Sequence, residues 1–296
     1  MQAHPGHLLV ASAHAGSTDV EQVEAARAQL AVAGAVELVE TETPEELDAA
    51  LDRLEGRTLV VAGGDGSLHL VVSRLHARHE LADVRMGLVP LGTGNDLARA
   101  LGVPLDPTAA ARVVLDCAPR RLDLVVDDVG GIVVNAVHVG VGADAAAHAG
   151  RLKPRLGPLA YPLGAVSAGL RSTGWKLRVE VDGRVLADGR RRSLMVGIGN
   201  GRGIGGGTPL LPHAEPDDGL LDVVVSAASG PVARVRYGAA LSSGSHLEDK
   251  AVRYARGTTV VISGEQVGVN ADGELGDEIR RRRWTVQPGA WSLVRP

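Results

Sequence analysis

Two glycine-rich loops, each set between a valine-rich run and an amphipathic stretch, constrain this 296-residue chain more than any other feature. The first reads Gly63-Gly64-Asp65-Gly66-Ser67; the second reads Gly92-Thr93-Gly94-Asn95-Asp96-Leu97-Ala98-Arg99. Thr58 to Ala62 is apolar and β-branched, as a buried strand requires, while Leu68, Val71, Val72 and Leu75 recur on one face of a helix. Val84 to Val89 repeats the strand ahead of the second loop, whose helix is expected to stop at Gly102 with Pro104 just beyond. Glycines at a strand-to-helix joint let the backbone turn sharply and bring N–H groups close to an anion, so the pair reads as a nucleotide phosphate cradle. Ser67 can cap the helix or bind phosphate. Neither loop is a Walker loop, because no lysine occurs before Lys153. The glycines at 201, 203 and 206 have the dinucleotide spacing, but they run on to Thr208-Pro209 with no helical pattern behind them.

The wider pattern predicts two domains. From Leu8 to about Leu115, strand-like runs (Leu8 to Ala13, Val36 to Val39) alternate with helical ones (Val20 to Ala33, Pro44 to Leu54), which implies a parallel sheet covered by helices. Ligand loops of such a sheet lie at the carboxyl ends of its strands. From Leu122 onward come short β-type runs: Leu124 to Val129, Ile132 to Val139, Leu177 to Val181, Ser193 to Ile198, Leu221 to Val225 and Thr258 to Ser263. One helical stretch, Leu159 to Leu170, interrupts them. The expected fold is an α/β nucleotide-binding domain over residues 1–121 and a mostly antiparallel β-sandwich over 122–275. Residues 276–296 are expected to pack back on the first domain.

At this point the motifs carry a resemblance. Both loops resemble the diacylglycerol kinase catalytic domain shared by diacylglycerol, sphingosine and ceramide kinases, and especially the soluble bacterial lipid kinases. Later landmarks continue it in the family's order: Arg121-Leu122-Asp123-Leu124, Asn135, Gly140-Val141-Gly142-Ala143-Asp144-Ala145, Gly157-Pro158-Leu159-Ala160-Tyr161, Asn200-Gly201, Glu215 to Asp222, and Asp272-Gly273-Glu274. The resemblance implies an ATP-dependent lipid kinase acting on a primary hydroxyl of diacylglycerol or a sphingoid-like lipid. A non-catalytic nucleotide- or lipid-binding relative is the second reading, and an NAD kinase, which shares Gly-Gly-Asp-Gly, is a third. One departure favours the second reading. Where the family's first strand ends in asparagine-proline and basic residues, this chain has Ala11-Ser12-Ala13-His14-Ala15-Gly16-Ser17-Thr18, so an expected cation for the phosphates is missing.

Phosphoryl transfer needs an aligned hydroxyl, donors or positive charge on the phosphate oxygens, and a metal to offset charge. Both loops supply N–H donors, Arg99 can add charge, and Asn95 and Asp96 either contact nucleotide or cap the helix that starts there. By resemblance, Asp272 is a candidate base for the lipid hydroxyl, with Glu274 near the nucleotide or its metal; Asp65 is the rival base. The other reading of Asp272-Gly273 is a hairpin turn. Glu215, Asp218, the carbonyl of Leu220 and Asp123 match a magnesium site of bacterial relatives, although Glu215 stands where aspartate is expected. A plain surface turn is the alternative there. The ten histidines show no paired spacing for zinc.

Composition adds limits. Cys117 is the only cysteine, which excludes an internal disulfide and suits a reducing cytoplasm. No apolar stretch approaches the roughly 18 residues of a membrane span, so a lipid kinase is expected to visit the membrane surface. With a formal net charge of −4 such contact has to use local patches, and Arg190-Arg191-Arg192 and Arg280 to Arg283 are either headgroup contacts or solvated turns. Nothing beyond those runs suggests nucleic acid, and a homodimer is expected from relatives.

Overall fold

The computed structural model describes residues 6–12, 17–140, 173–228 and 230–296. The chain forms two compact units, Met1–Leu122 with Gly289–Pro296, and Asp123–Pro288. The last segment is therefore divided, with 276–288 in the second unit and 289–296 in the first.

The first unit is built on four parallel strands, β1 (His7–Ser12), β2 (Val36–Thr41), β3 (Thr58–Gly63) and β4 (Arg85–Pro90), in the order β2-β1-β3-β4. Helices α1 (Ser17–Leu30), α2 (Pro44–Leu51), α3 (Asp65–Ala77), α4 (Asp96–Ala100) and α5 (Pro107–Asp116) join them. Leu8, Leu9, Leu59, Val60, Met86 and Val89 are buried, as a parallel sheet covered by helices demands of unbroken apolar runs. Thr43 starts α2 by accepting the N–H of Glu46 at 3.2 Å, and Asp106 starts α5 by accepting that of Ala109 at 2.8 Å. A proline follows each cap, at a position whose own N–H the helix does not use. Beyond β4, Ser292 and Leu293 pair in parallel with Arg85 and Met86, and Trp291 is buried beside them.

β5 (Pro119–Asp127) carries the chain into the second unit. There follow β6 (Ile132–Val133), β7 (Ala136–Gly140), β8 (Leu177–Val181), β9 (Arg184–Asp188), β10 (Met195–Gly199) and β11 (Leu221–Ser226). Next come α6 (Pro231–Ser243), β12 (Val252–Gly257), β13 (Thr259–Val267), β14 (Val269–Ala271), β15 (Glu274–Leu275) and β16 (Ile279–Val294). β12-β11-β10-β7-β14-β15 form one antiparallel sheet. β8, β9, β13 and the start of β16 pair antiparallel in the other. Val137, Val139, Val196, Ile198, Val223 and Val225 pack against Val179, Val181, Val260, Ile262 and Trp284 to make the sandwich core. β-Branched side chains suit such a pleated, two-layer core.

Two features depart from the expected pattern. The run Ile132 to Val139 is two strands with a break at Val134–Asn135. Helix α6 is unexpected, because it buries only Tyr237 and so shows no apolar face; its signals are Pro231 in the first turn and Gly244, at φ +75°, beyond its end. The helix expected over 159–170, the landmark residues at 141–145 and 157–161, and residues 13–16 lie outside the described residues. Among those described, no helix is long and apolar enough to cross a membrane.

Candidate functional site

In the first unit the two glycine loops sit at the carboxyl ends of β3 and β4 and pack against each other. The N–H of Leu91 donates to the carbonyl of Gly63 at 3.0 Å. A Cβ built on Gly92 would stand 2.5 Å from the Cα of Gly64, and one on Gly64 would stand 3.0 Å from the Cα of Gly92. Backbone therefore touches backbone, and a side chain at either position would force the loops apart. Gly66 faces open space, with nothing within 4 Å of a built Cβ.

The loop aspartate joins the two halves. Asp65 accepts the N–H of Asp96 at 3.0 Å on one oxygen and that of Leu97 at 3.1 Å on the other, so a residue of the first loop caps the short helix of the second. Asn95 takes the left-handed conformation at φ +52°. Its side chain closes the Gly92-Thr93-Gly94 turn, accepting from Gly92 N–H at 3.0 Å and donating to the Gly92 carbonyl at 2.6 Å. Local sequence suggests Asn95 or Asp96 as the cap; the structure gives that task to Asp65, 31 residues away, which spacing cannot reveal. Asp96 is buried, Thr93 is exposed, and exposed Arg99 donates through Nε to the Gly94 carbonyl at 3.2 Å. Gly64 gives the first turn of α3 no side-chain cap. Uncapped amides at a helix start, aided by the helix dipole, suit an anion.

In the second unit Asp272 and Gly273, at φ +50° and +92°, form the tight turn between β14 and β15. The Asp272 carboxylate reaches across to the break between β6 and β7. It accepts N–H groups of Val134 at 2.6 Å, Asn135 at 2.9 Å and Ala136 at 3.0 Å. Asn135 in turn donates to the Gly203 carbonyl at 2.8 Å, and its own carbonyl accepts from Asn200 and Gly201. Three landmarks far apart in sequence, Asn135, Asn200-Gly201 and Asp272-Gly273, thus meet at one corner of the sandwich. Glu274 is exposed on β15. His138, on β7 opposite Asn270, is buried, and that burial lowers its imidazole from 6.5 to about 4.

The loop from Glu215 to Asp222 is closed by protein groups. Asp123 accepts from Gly219 N–H at 2.7 Å, Asp218 accepts from Leu220 N–H at 3.0 Å, and Arg256 bridges Asp218 and Asp222. Burial raises the Asp222 carboxyl above the usual range, an effect opposed by the Tyr254 hydroxyl bonded to it. The arginine runs are partly spent on neighbours: Arg190 pairs with Asp188, Arg192 with Glu265, Arg281 with Asp128 and Arg282 with Asp127.

Residues 7–126 match the diacylglycerol kinase catalytic domain, and residues 135–295 match the YegS C-terminal NAD kinase beta sandwich-like domain. A probable lipid kinase YegS-like from Pseudomonas aeruginosa is 38% identical over 246 residues, covering 81% of this chain and 76% of that protein. The chain belongs to the YegS-like lipid kinase family. A second family member, from Stenotrophomonas maltophilia, is 34% identical over 78% of this chain and 74% of its own length. The fold is shared with a putative diacylglycerol kinase from Bacillus anthracis, at a TM-score of 0.78 and 19% identity over 98% of this chain and 97% of that one. Membership makes this chain a kinase, and its α/β unit followed by an antiparallel sandwich is the architecture expected from the sequence.

Proposed function

We propose that this YegS-like kinase transfers the γ-phosphoryl group of ATP to a primary hydroxyl of a diacylglycerol or sphingoid-like lipid at a membrane surface. The observation that carries this reading is the pair of glycine loops in direct backbone contact, with Gly66 exposed and the start of α3 without a side-chain cap, an arrangement that suits a polyphosphate. In the reaction the lipid oxygen forms a bond to the γ-phosphorus, the bond from that phosphorus to the ADP oxygen breaks, and the hydroxyl proton passes to a carboxylate. Asp65 and Asp272 are the candidates for that carboxylate. Asp65 accepts two backbone N–H groups and Asp272 three, so each has a positioning duty beside any proton transfer. Magnesium arriving with the nucleotide would offset phosphate charge, with Glu274 the carboxylate assigned to it by resemblance.

The test is ADP release by purified protein with ATP and Mg²⁺ against mixed micelles of diacylglycerol, monoacylglycerol, sphingosine or ceramide. Release dependent on one lipid class, and lost in Asp65→Asn, supports the reading and names the acceptor. ATP binding without release on any lipid would overturn the acceptor class.

A further inference from the structure

The family resemblance puts a magnesium ion on the loop from Glu215 to Asp222, and the residues found there do not fit one. Strand register sets Arg256 of β12 opposite Asp222 of β11, and Tyr254 opposite Val224 on the same face. From that position Arg256 Nε donates to one Asp222 oxygen at 3.3 Å, and its Nη2 donates to Asp218 Oδ2. The Tyr254 hydroxyl occupies the other Asp222 oxygen. The second Asp218 oxygen holds Leu220 N–H, Asp123 Oδ2 holds Gly219 N–H, and the carbonyl of Pro216 holds Asp123 N–H at 2.8 Å. Of the other expected ligands, the Leu220 carbonyl offers a single neutral oxygen and the Glu215 side chain is exposed.

Mg²⁺ demands a near-octahedral shell of oxygens at about 2.0–2.1 Å. The Asp218 carboxylate, the expected ligand at the centre of this loop, is instead taken by a backbone N–H on one oxygen and a guanidinium on the other, and that same guanidinium reaches Asp222. Among the described residues no group of three or more histidine, cysteine, aspartate or glutamate side chains is placed to hold a metal. Arginine is suited to the task it has taken here. Its planar fork addresses two carboxylates at once, and its charge persists on partial burial.

We propose that Arg256 is the built-in cation of this loop, clamping Asp218 to Asp222 in place of a divalent ion, so that the second unit folds and holds its shape without magnesium. The inference rests on the geometry of this unit and does not depend on the acceptor being a lipid.

Thermal melting without nucleotide, in EDTA and in millimolar Mg²⁺, tests it, alongside titration calorimetry of Mg²⁺ into the nucleotide-free protein. The wild type is expected to melt at the same temperature in both buffers and to give no binding heat. Arg256→Met, which leaves two carboxylates facing each other without their cation, is expected to melt at least about 5 °C lower in EDTA and to regain part of that loss in Mg²⁺. Arg256→Lys, which keeps the charge and loses the fork, serves if the methionine variant does not fold; it is expected to melt between the two and to stay insensitive to Mg²⁺. A wild-type melting temperature raised by Mg²⁺, with the rise abolished in Asp218→Asn, would overturn the proposal in favour of a metal site. An unchanged melting temperature in Arg256→Met would overturn it by removing the clamp.

Discussion

Gly92→Ala probes the contact on which the nucleotide loops depend. The new Cβ would lie 2.5 Å from the Cα of Gly64 and 2.8 Å from Oδ1 of Asn95. Comfortable carbon–carbon contact begins near ~3.5 Å, so the loops must part by roughly 1 Å. Position 92 is not at positive φ, which leaves sterics as the whole obstacle. The nearest side-chain atom is the one that already accepts the Gly92 N–H, so relief of the clash loosens the turn that Asn95 closes. Overpacking of this kind costs about 1–3 kcal/mol, or about 3–15 °C of melting temperature for a unit of this size. A displacement of roughly 1 Å of the phosphate donors is expected to lower turnover about 100-fold as well. Two sister substitutions calibrate the effect. Gly64→Ala, with its Cβ at 3.0 Å from backbone, should fall between; Gly66→Ala, in open space in the first turn of α3, should be neutral or stabilising by about 0.5–1 kcal/mol. Urea and thermal unfolding of the three variants, with ADP release measured in parallel, give the order directly. A Gly92→Ala protein that melts at or above Gly66→Ala would refute the loop-to-loop contact.

Further expectations concern charged and titratable groups. Asp65→Asn replaces an acceptor of two N–H groups by one oxygen and one misplaced amide, so urea unfolding should show about 1–2 kcal/mol lost along with turnover; full stability would mean that the cap of α4 is made otherwise. Asp272→Asn leaves at least one of three backbone N–H groups without its acceptor, at about 1–3 kcal/mol. If Asp272 also takes the proton, kcat should fall by about 10²–10⁴ with KM unchanged, whereas a kcat near wild type would leave Asp65 as the base. His138 is buried neutral, with its folded value near 4 against 6.5 when unfolded. The unfolded chain therefore binds the extra proton in that window, so stability present above pH 6.5 is lost as pH falls toward 4, by up to about 3 kcal/mol. The difference between wild type and His138→Gln in urea midpoints across those pH values measures it, and parallel profiles would show that His138 does not contribute.

Much of the fold was legible because its signals are local. β-Branched runs and glycine joints located β3 and β4, and Leu177 to Val181 is a strand over the residues expected of it. α6 was not legible, because its exposed Val232 and Val235 erase the amphipathic pattern that marks a surface helix. The candidate site was legible as a set of residues, not as a set of roles. Nothing in the spacing of Asp65 and Asp96 says that one ties down the other. The aspartate-glycine pair at 272 correctly announced a turn, but the three N–H groups its carboxylate gathers belong to residues more than 130 positions earlier. Likewise, nothing in the spacing between 215 and 222 announces Arg256, which bonds Asp218 and Asp222 from a strand 34 residues beyond Asp222.

The parallel pairing of Ser292 and Leu293 with β4 has a consequence for how the protein is made. β4 leaves the ribosome early, yet its outer edge has no partner until about 200 more residues have been joined. At translation rates of about 5–20 residues per second, that edge waits roughly 10–40 s, exposed to pairing with other chains. The first unit is first to be synthesised and last to be completed, so mutations that slow the sandwich or shorten the final strand should show themselves as aggregation of newborn chains before they show as lost activity.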